Sequence, residues 1–225
     1  MSYDFNLKPV ATIKSDFKSK FGIPRQSGLI DAIRSTIVFE NEFRNPEALR
    51  GLEEFSHLWL IWGFTENIGK PWSPPVRPPK LGGNKRVGVF ATRSPFRPNP
   101  LGLSSVKIKN IDLQNCSITV SSADLMDGTV IYDIKPYIPY TDCHSDALGG
   151  FSVSQAKSLE VICDNELLNI LPECKRSILI SVLESDPRPA YHDIPNRIYG
   201  FVFNEFEIKF SVKGGVLTVK NIIRL

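Results

Sequence analysis

The segment from Gly88 to Val106 limits the folds open to this chain more than any other feature. It begins with strand-forming residues and becomes a loop in which Pro95, Pro98 and Pro100 each fix φ and hold the preceding residue extended. Long loops inside a compact domain are usually functional or disordered, and the strand-like flanks favour function. We therefore predict a preorganised binding surface in this segment.

Positive charge is concentrated around the same segment. The whole chain carries a formal net charge of +3, from 27 Lys and Arg against 24 Asp and Glu. Between Asn67 and Ile111 there are nine basic residues and no acidic one, so the rest of the chain has a net charge of −6. This distribution predicts an anionic partner. The alternative is a loop with surplus charge and no function.

Composition excludes several classes of protein. The chain has 225 residues, of which 42% are hydrophobic and 23% charged, as is typical of globular proteins. No apolar run is long enough to cross a membrane, and the first residues do not resemble a secretory signal. The four cysteines follow no metal-binding or disulfide pattern. We expect a cytoplasmic protein that binds neither metal nor membrane.

Apolar alternation predicts mainly β structure. No G-x-G-x-x-G motif follows a strand, so a Rossmann site is not indicated. Strands are predicted at Val10–Ser15, within Gly28–Phe39, and at Phe55–Phe64, Leu101–Ile111, Cys116–Ala123 and Val130–Ile134. Their number and spacing favour a closed or sandwiched β architecture for residues 1–145. Residues 146–225 have helical or mixed apolar spacing at Leu159–Leu171 and a strand–Gly214-Gly215–strand hairpin, so we predict a smaller α+β domain there.

Three short segments are candidate sites. Pro24-Arg25-Gln26 lies between predicted strands, although an ordinary turn would explain it equally well. Asp124 and Asp127 flank a strand end; the turn at Asp127-Gly128 explains the second carboxylate but not the first. Residues 133–142 combine tyrosines, carboxylates and prolines, which is unusual in a solvated loop. Ser104 has no histidine placed to activate it, so we interpret it as a strand residue, and Trp62 as a core residue.

These segments resemble the TsaA/TrmO-like family of β-barrel, S-adenosylmethionine-dependent tRNA methyltransferases over nearly the whole chain. The matching stretches are PRQ at Pro24–Gln26, RGLEEFSHLWLIW at Arg50–Trp62, VRPPKLGGNKRVGVFATRSPFRPNPLGLS at Val76–Ser104, DLMDGT at Asp124–Thr129, DIKPYIPY at Asp133–Tyr140 and DPRPAY at Asp186–Tyr191. The resemblance implies a small non-Rossmann β-barrel that binds S-adenosylmethionine, a C-terminal domain and a homodimer. It also implies methylation of N6 of N6-threonylcarbamoyladenosine at position 37, in the anticodon stem-loop of tRNA.

With that resemblance, the candidate residues acquire expected roles. For the methyl donor we expect contacts from Pro24, Arg25, Gln26, Thr65, Glu66, Arg93, Leu103, Asp124, Leu125, Met126 and Asp127. Asp124, Tyr137 and Arg97 are the candidate catalytic residues: a carboxylate or tyrosine would remove the N6 proton, and Arg97 or Arg188 would read the threonyl carboxylate. For RNA phosphates we expect Arg77, Lys80, Lys85, Arg86, Arg97 and Arg188.

Two other functions remain open from the sequence. A non-catalytic tRNA- or RNA-binding adaptor would use the same basic surface but would have no affinity for the methyl donor. A small-molecule methyltransferase would bind the donor without salt-dependent association with tRNA.

Overall fold

The computed structural model describes residues 6–152, 158–188, 194 and 197–225. Its first part contains the strands β1 (Ala11–Lys14), β2 (Arg34–Phe39), β3 (His57–Gly63), β4 (Pro75–Val76), β5 (Val87–Gly88), β6 (Leu101–Asp112), β7 (Ser117–Ser121) and β8 (Val130–Pro136). Short 3-10 helices lie at Asn41–Phe43, Pro46–Leu49, Leu52–Glu54, Thr65–Asn67, Pro79–Leu81, Val89–Ala91 and Gly150–Ser152.

Six of these strands form a closed antiparallel barrel in the order β1-β2-β7-β6-β3-β8. Side chains along a strand point alternately into and out of a barrel, so every second residue is buried. On β3, Leu58, Leu60 and Trp62 point inward and are buried, whereas Trp59 and Ile61 are half-buried. The apolar run is therefore a barrel wall, and of the two predicted architectures, closed or sandwiched, the closed one is observed.

The proline-rich stretch before Gly88 lies outside the barrel. Pro75–Val76 and Val87–Gly88 pair as a short two-stranded ribbon, and residues 77–86 form the loop between them. Proline cannot donate to a strand ladder, which explains why this stretch protrudes instead of joining the wall. We refer to β4, β5 and the loop 77–86 as the basic ribbon.

The C-terminal part contains a four-stranded sheet and a helix packed against it. The short helix α1 (Pro139–Asp142) follows β8 at the end of the barrel part. The elements of the C-terminal part are β9 (Glu160–Ile162), α2 (Asn165–Leu168), α3 (Glu173–Glu184), β10 (Tyr199–Phe203), β11 (Phe206–Lys213) and β12 (Val216–Arg224). The sheet order is β10-β11-β12-β9, with β9 parallel to β12. The predicted hairpin at Gly214-Gly215 is confirmed, while the apolar stretch Leu159–Leu171 divides into a strand and a short helix.

Part of the N-terminal chain packs into the C-terminal core. Phe17, Ile30 and Ile33 are buried in the same apolar cluster as α3 and the four-stranded sheet. Lys175 Nζ on α3 also lies 2.5 and 2.7 Å from the two carboxylate oxygens of Asp16. Because the segment between β1 and β2 contributes to this second core, it connects the barrel rigidly to the C-terminal part.

None of the helices within the described ranges has the length and apolarity that crossing a membrane requires.

Candidate active site

A cleft of about 2040 Å³ opens where one end of the barrel, the basic ribbon and the C-terminal part meet. Ligand pockets for small molecules are usually ~300–1,000 Å³, so this cleft has room for more than one small ligand. Of the predicted donor-binding residues, those that line it are Pro24, Arg25, Gln26, Thr65, Glu66, Arg93, Asp124 and Met126. Pro24 and Met126, which are 102 positions apart in sequence, therefore share one surface.

Asp124 is a carboxylate on the cleft wall that is held by a buried hydrogen-bond network. Ser104 Oγ donates to Asp124 Oδ1 at 2.6 Å, and Trp62 Nε1 donates to Ser104 Oγ at 3.0 Å. Burial raises the pKa of the Asp124 carboxyl, and this is opposed by hydrogen bonds from Ser104 and from the backbone N–H groups of Asp124 and Ser27, and by the charge of Arg93. A carboxylate in this environment is more basic than an exposed one.

Arg93 lies on the loop that contains Pro95, Pro98 and Pro100, and it connects this loop to the one at Pro24–Gln26. Its Nη1 donates a short hydrogen bond to Gln26 Oε1, and its charge acts on Asp124. The cleft thus contains both an anion and a cation, which suits a zwitterionic ligand.

The C-terminal part approaches the same loop. Asp186 accepts hydrogen bonds from Arg188 Nε and Nη2, each at 2.8 Å. Burial raises the pKa of Asp186, but the pairing with Arg188 and the charge of Arg25 lower it by more than burial raises it. The net shift of this pKa is therefore downward. Arg188 is therefore close to the Pro24–Gln26 loop but paired with Asp186. Pro189–Tyr191, the rest of its motif, lie outside the described residues.

The basic ribbon forms an upper wall of the cleft. Arg77, Lys80 and Arg86 line it, and Lys85 is exposed on the same loop without lining the cleft. The loop is held close because Pro79–Leu81 contacts Gly150–Ser152. Four predicted RNA-binding cations are therefore gathered on one short loop.

Three predicted donor-binding residues do not line the cleft. Leu103 is 55% exposed on the outside of the barrel, and Leu125 is buried in the barrel core. Asp127 Oδ1 accepts the Ser15 N–H at 2.9 Å and its Oδ2 pairs with Lys18 Nζ at 2.6 Å. Leu125 and Asp127 thus have structural partners in place of a position on the cleft wall, and Leu103 faces away from the barrel interior.

Two predicted catalytic residues also lie off the cleft wall. Arg97 Nη1 donates to the Thr92 carbonyl at 2.8 Å, and its guanidinium lies 5.9 Å from the Phe90 ring centre, so it braces the loop that carries Arg93. Tyr137 donates its backbone N–H to His57 O, at the far end of β3 from the cleft. A seven-residue strand separates these ends by about 20 Å.

Tyr137 belongs to a separate polar cluster. Its ring lies 5.4 Å from that of Trp59, whose Nε1 donates to Asp142 Oδ2 at 2.7 Å. Burial raises the pKa of the Tyr137 hydroxyl, and the nearby Cys143 and Asp142 raise it further. The Tyr137 hydroxyl therefore keeps its proton to higher pH, and it lies at a distance from Asp124.

Trp62 and Ser104 belong to the site, although the sequence pattern indicated a core residue and a strand residue at these positions. Trp62 lines the cleft, and Ser104, which is 2% exposed, lies directly behind Asp124. The available signal was the glycine two positions before Ser104: a Cβ on Gly102 would lie 2.3 Å from the Trp62 indole. A glycine at this point in a strand indicates close approach of another group.

A search of the described ranges for His, Cys, Asp and Glu side chains finds no group of three or more arranged to hold a metal ion.

Comparison with known proteins agrees with this arrangement. The model of the tRNA-methyltransferase O N-terminal domain matches residues 12–143, and that of the TrmO C-terminal domain matches residues 156–225. A tRNA (adenine(37)-N6)-methyltransferase of Escherichia coli K12 is 37% identical over 219 residues, covering 92% of this chain and 93% of that protein. One from Eikenella corrodens is 42% identical over 171 residues, covering 75% of this chain and 97% of the relative.

A solved structure has the same fold along its whole length. A crystal structure of TrmO from Pseudomonas aeruginosa superposes with a TM-score of 0.82 at 30% identity, covering 100% of this chain and 99% of the other. With both family domains matched in order, this chain belongs to the tRNA-methyltransferase O family.

Proposed function

We propose that this protein is an S-adenosylmethionine-dependent methyltransferase that modifies N6 of adenosine 37 in tRNA. The carrying observation is the cleft, which brings Asp124, Arg93 and the Pro24–Gln26 loop together beneath the basic ribbon. Relatives named tRNA (adenine(37)-N6)-methyltransferase, which align over most of this chain, support the same reaction.

The residues of the cleft fit the methyl donor. S-adenosylmethionine has a carboxylate, an ammonium and a sulfonium, so a suitable site needs a cation, an anion and an apolar surface. Arg93 would hold the carboxylate, Asp124 the positively charged end, and Met126 with Trp62 and Phe64 an apolar wall for the adenine. When bound, the donor supplies an electrophilic methyl group.

The protein would contribute alignment and proton removal. Holding two reactants in a productive orientation can lower a barrier by about 7–11 kcal/mol. The N6 nitrogen must lose its proton on methylation, and Asp124 is the candidate base because burial raises its pKa while its hydrogen bonds keep it available as an acceptor.

The full substrate is proposed to be N6-threonylcarbamoyladenosine in the anticodon stem-loop. Its threonyl carboxylate would be read by Arg97 or Arg188. Each already has a partner, the Thr92 carbonyl and Asp186 respectively, so either would have to exchange that partner for the substrate. The loop cations Arg77, Lys80, Lys85 and Arg86 would bind the RNA phosphates.

A homodimer is part of the proposal. Tyr137 and the exposed Leu103 lie off the cleft of their own subunit, so each would reach a ligand only in the site of a second subunit. Phe90 and Phe96, which are 74% and 46% exposed, provide apolar surface for such an interface.

The chain is further proposed to divide into a catalytic domain, residues 1–145, and a C-terminal domain, residues 146–225. The two separate apolar cores support this division. We also propose that the enzyme acts in the cytoplasm, where its tRNA substrate is found, without a metal ion.

Incubation of the protein with isotope-labelled methyl donor and total tRNA, followed by mass spectrometry of the nucleosides, tests the function. We expect one labelled nucleoside derived from adenosine 37. Salt-sensitive tRNA binding without donor affinity would indicate the adaptor instead, and donor binding without tRNA association would indicate a small-molecule methyltransferase.

A further inference from the structure

The hydrogen bonds behind Asp124 form a chain that starts at a donor of fixed direction. An indole N–H is a donor and never an acceptor, so Ser104 Oγ must accept from Trp62 Nε1 at 3.0 Å. The single hydroxyl proton of Ser104 is then available for Asp124 Oδ1, which lies 2.6 Å away. With Ser104 as the donor, Asp124 Oδ1 is the acceptor, which is the role of an ionised carboxylate.

The other groups around Asp124 are donors or positive charges as well. The backbone N–H groups of Asp124 and Ser27 and the charge of Arg93, on the facing loop, each lower the pKa of the Asp124 carboxyl. Burial favours the protonated form of a carboxyl group, whereas these donors and the positive charge favour its ionised form. They therefore oppose the effect of burial on the pKa of Asp124.

The chain of hydrogen bonds from Trp62 through Ser104 to Asp124, which we call the relay, is shielded from solvent. Ser104 is 2% and Trp62 8% exposed, and Trp62 also packs edge-on against Phe64 with ring centres 4.4 Å apart. Gly102 is the β6 partner of Trp62, and its missing side chain leaves the space that the indole occupies. A hydrogen bond to a charged group is stronger when water cannot compete for it.

We propose that Trp62 and Ser104 are positioning residues that hold Asp124 ionised and oriented toward the cleft. The inference rests on the proposed function, in which Asp124 contacts the reacting groups. Ser104 is thus neither a nucleophile nor only a strand residue, and Trp62 acts through its N–H as well as its apolar ring.

Ser104→Ala is the principal test, with Ser105→Ala as the matched control. Ser105 is the next residue of β6, faces outward and is half-buried. Turnover would be measured on tRNA between about pH 5 and 9, where a carboxylate base with a raised pKa loses its proton. The carboxyl pKa of Asp124 would be measured separately by carbon-13 NMR, with Asp124→Asn assigning the signal.

For Ser104→Ala we expect kcat to fall by about 10- to 100-fold, as for loss of a hydrogen bond to a charged group. The hydroxyl lowers the pKa of Asp124, so its removal should raise that pKa and move the acidic limb of the rate profile to higher pH. Trp62→Phe should change the Asp124 pKa and the pH profile in the same direction but by less. Ser104→Thr, which keeps the hydroxyl, should leave both close to the wild-type values, and Ser105→Ala should change neither.

The NMR titration keeps this inference separate from the proposed function. If the wild-type protein methylates no tRNA, the proposed function fails, but a raised Asp124 pKa in folded Ser104→Ala still supports the relay. An unchanged pKa and pH profile in that variant would overturn the relay, as would an equal loss of rate at every pH. Full activity of Asp124→Asn would also overturn it, because the relay would then have nothing to position.

Discussion

Gly22 lies so close to the ring of Phe201 that a Cβ at this position would stand 2.3 Å from the ring carbon Cδ2. Gly22 comes two residues before Pro24, and Phe201 is on β10 of the C-terminal sheet with only 4% of its surface exposed. The cleft loop at Pro24–Gln26 is therefore held in place by the C-terminal part and not by the barrel alone.

Gly22→Ala should lower both the stability of the fold and the affinity for the methyl donor. We expect a loss of roughly 1–3 kcal/mol in the free energy of unfolding, because Gly22 has a φ of +85° and the added methyl meets a buried ring. Urea unfolding and calorimetry with the methyl donor would measure the two effects. Gly28→Ala is the control: its φ is +83°, but no atom lies within 4 Å of its Cβ position. Equal losses in both variants would contradict a role for the Phe201 contact.

Gly102→Ala should disturb the site from inside the barrel. The added methyl would displace the Trp62 indole and lengthen its hydrogen bond to Ser104. We expect turnover to fall by at least about tenfold, since loss of a bond to a charged network costs ~1.5 kcal/mol or more. Gly88→Ala, where no atom lies within 4 Å of the Cβ position, should retain the wild-type rate. Similar rates for the two variants would contradict a role for the Trp62–Ser104 hydrogen bond in turnover.

Arg93→Ala should reduce affinity for the methyl donor. Arg93 is the cleft cation beside Gln26 and Asp124, and a charged hydrogen bond contributes about 1.5–3 kcal/mol, or roughly 10- to 100-fold in affinity. Calorimetric titration measures this directly. Arg50→Ala, which removes an exposed cation paired with Glu47, should leave the affinity unchanged. An unaltered dissociation constant for Arg93→Ala would remove Arg93 from the donor site.

The double variant Lys85→Ala/Arg86→Ala should weaken tRNA binding and flatten its dependence on salt. Each lost contact with a single-stranded phosphate reduces the slope of log K against log salt by about 0.7, so two should reduce it by about 1.4. Filter binding between about 50 and 200 mM salt would give the slopes. Lys213→Ala/Lys220→Ala removes the same charge from exposed positions on β11 and β12 and should keep the wild-type slope. Equal slopes for both double variants would mean that net charge, and not the basic ribbon, controls binding.

Asp127→Asn should lower stability at neutral pH and have little effect in acid. Burial raises the pKa of Asp127, but Lys18 and the Ser15 N–H lower it more, so the folded carboxyl has a pKa below its ordinary value. Its contribution is therefore present above the unfolded pKa of about 3.9 and disappears as the pH falls through the folded value. We expect a difference of about 0.5–1.5 kcal/mol at pH 7, since the pair is partly exposed.

Urea unfolding of wild type and Asp127→Asn at a series of pH values checks this prediction. The exposed Asp146 offers the control Asp146→Asn, for which we expect little change in stability at any pH. A stability difference that persists below the pH at which Asp127 is protonated would show that the side chain acts through packing and not through its charge.

Local patterns predicted much of the fold because they report local physics. The alternation around Leu58, Leu60 and Trp62 reflects a wall with one buried face, and the Gly214-Gly215 pair predicts a hairpin wherever it occurs between alternating strands. The prolines before Gly88 excluded a place in the barrel because they lack an N–H group. The stretch Leu159–Leu171 was ambiguous because short apolar runs suit either a strand or a helix.

Positions within the site followed the motifs only in part. Asp124, Arg93 and Pro24–Gln26 meet on one cleft wall, but Asp127 is paired with Lys18 and Tyr137 lies at the opposite end of β3. Adjacent motif residues point in different directions along a strand or turn, so a motif cannot distinguish those that face the cleft from those that support it.

The amino-acid order alone determined where positive charge is concentrated, which loop is stiffened by prolines and where the barrel strands lie, since these depend on the residues themselves and on their neighbours in the chain. Only the folded structure decided that Ser104 lies between Trp62 and Asp124, and that Phe201 holds the loop at Gly22. Barrel closure and the packing of the C-terminal sheet set those contacts, and the distances between remote segments depend on the whole three-dimensional arrangement.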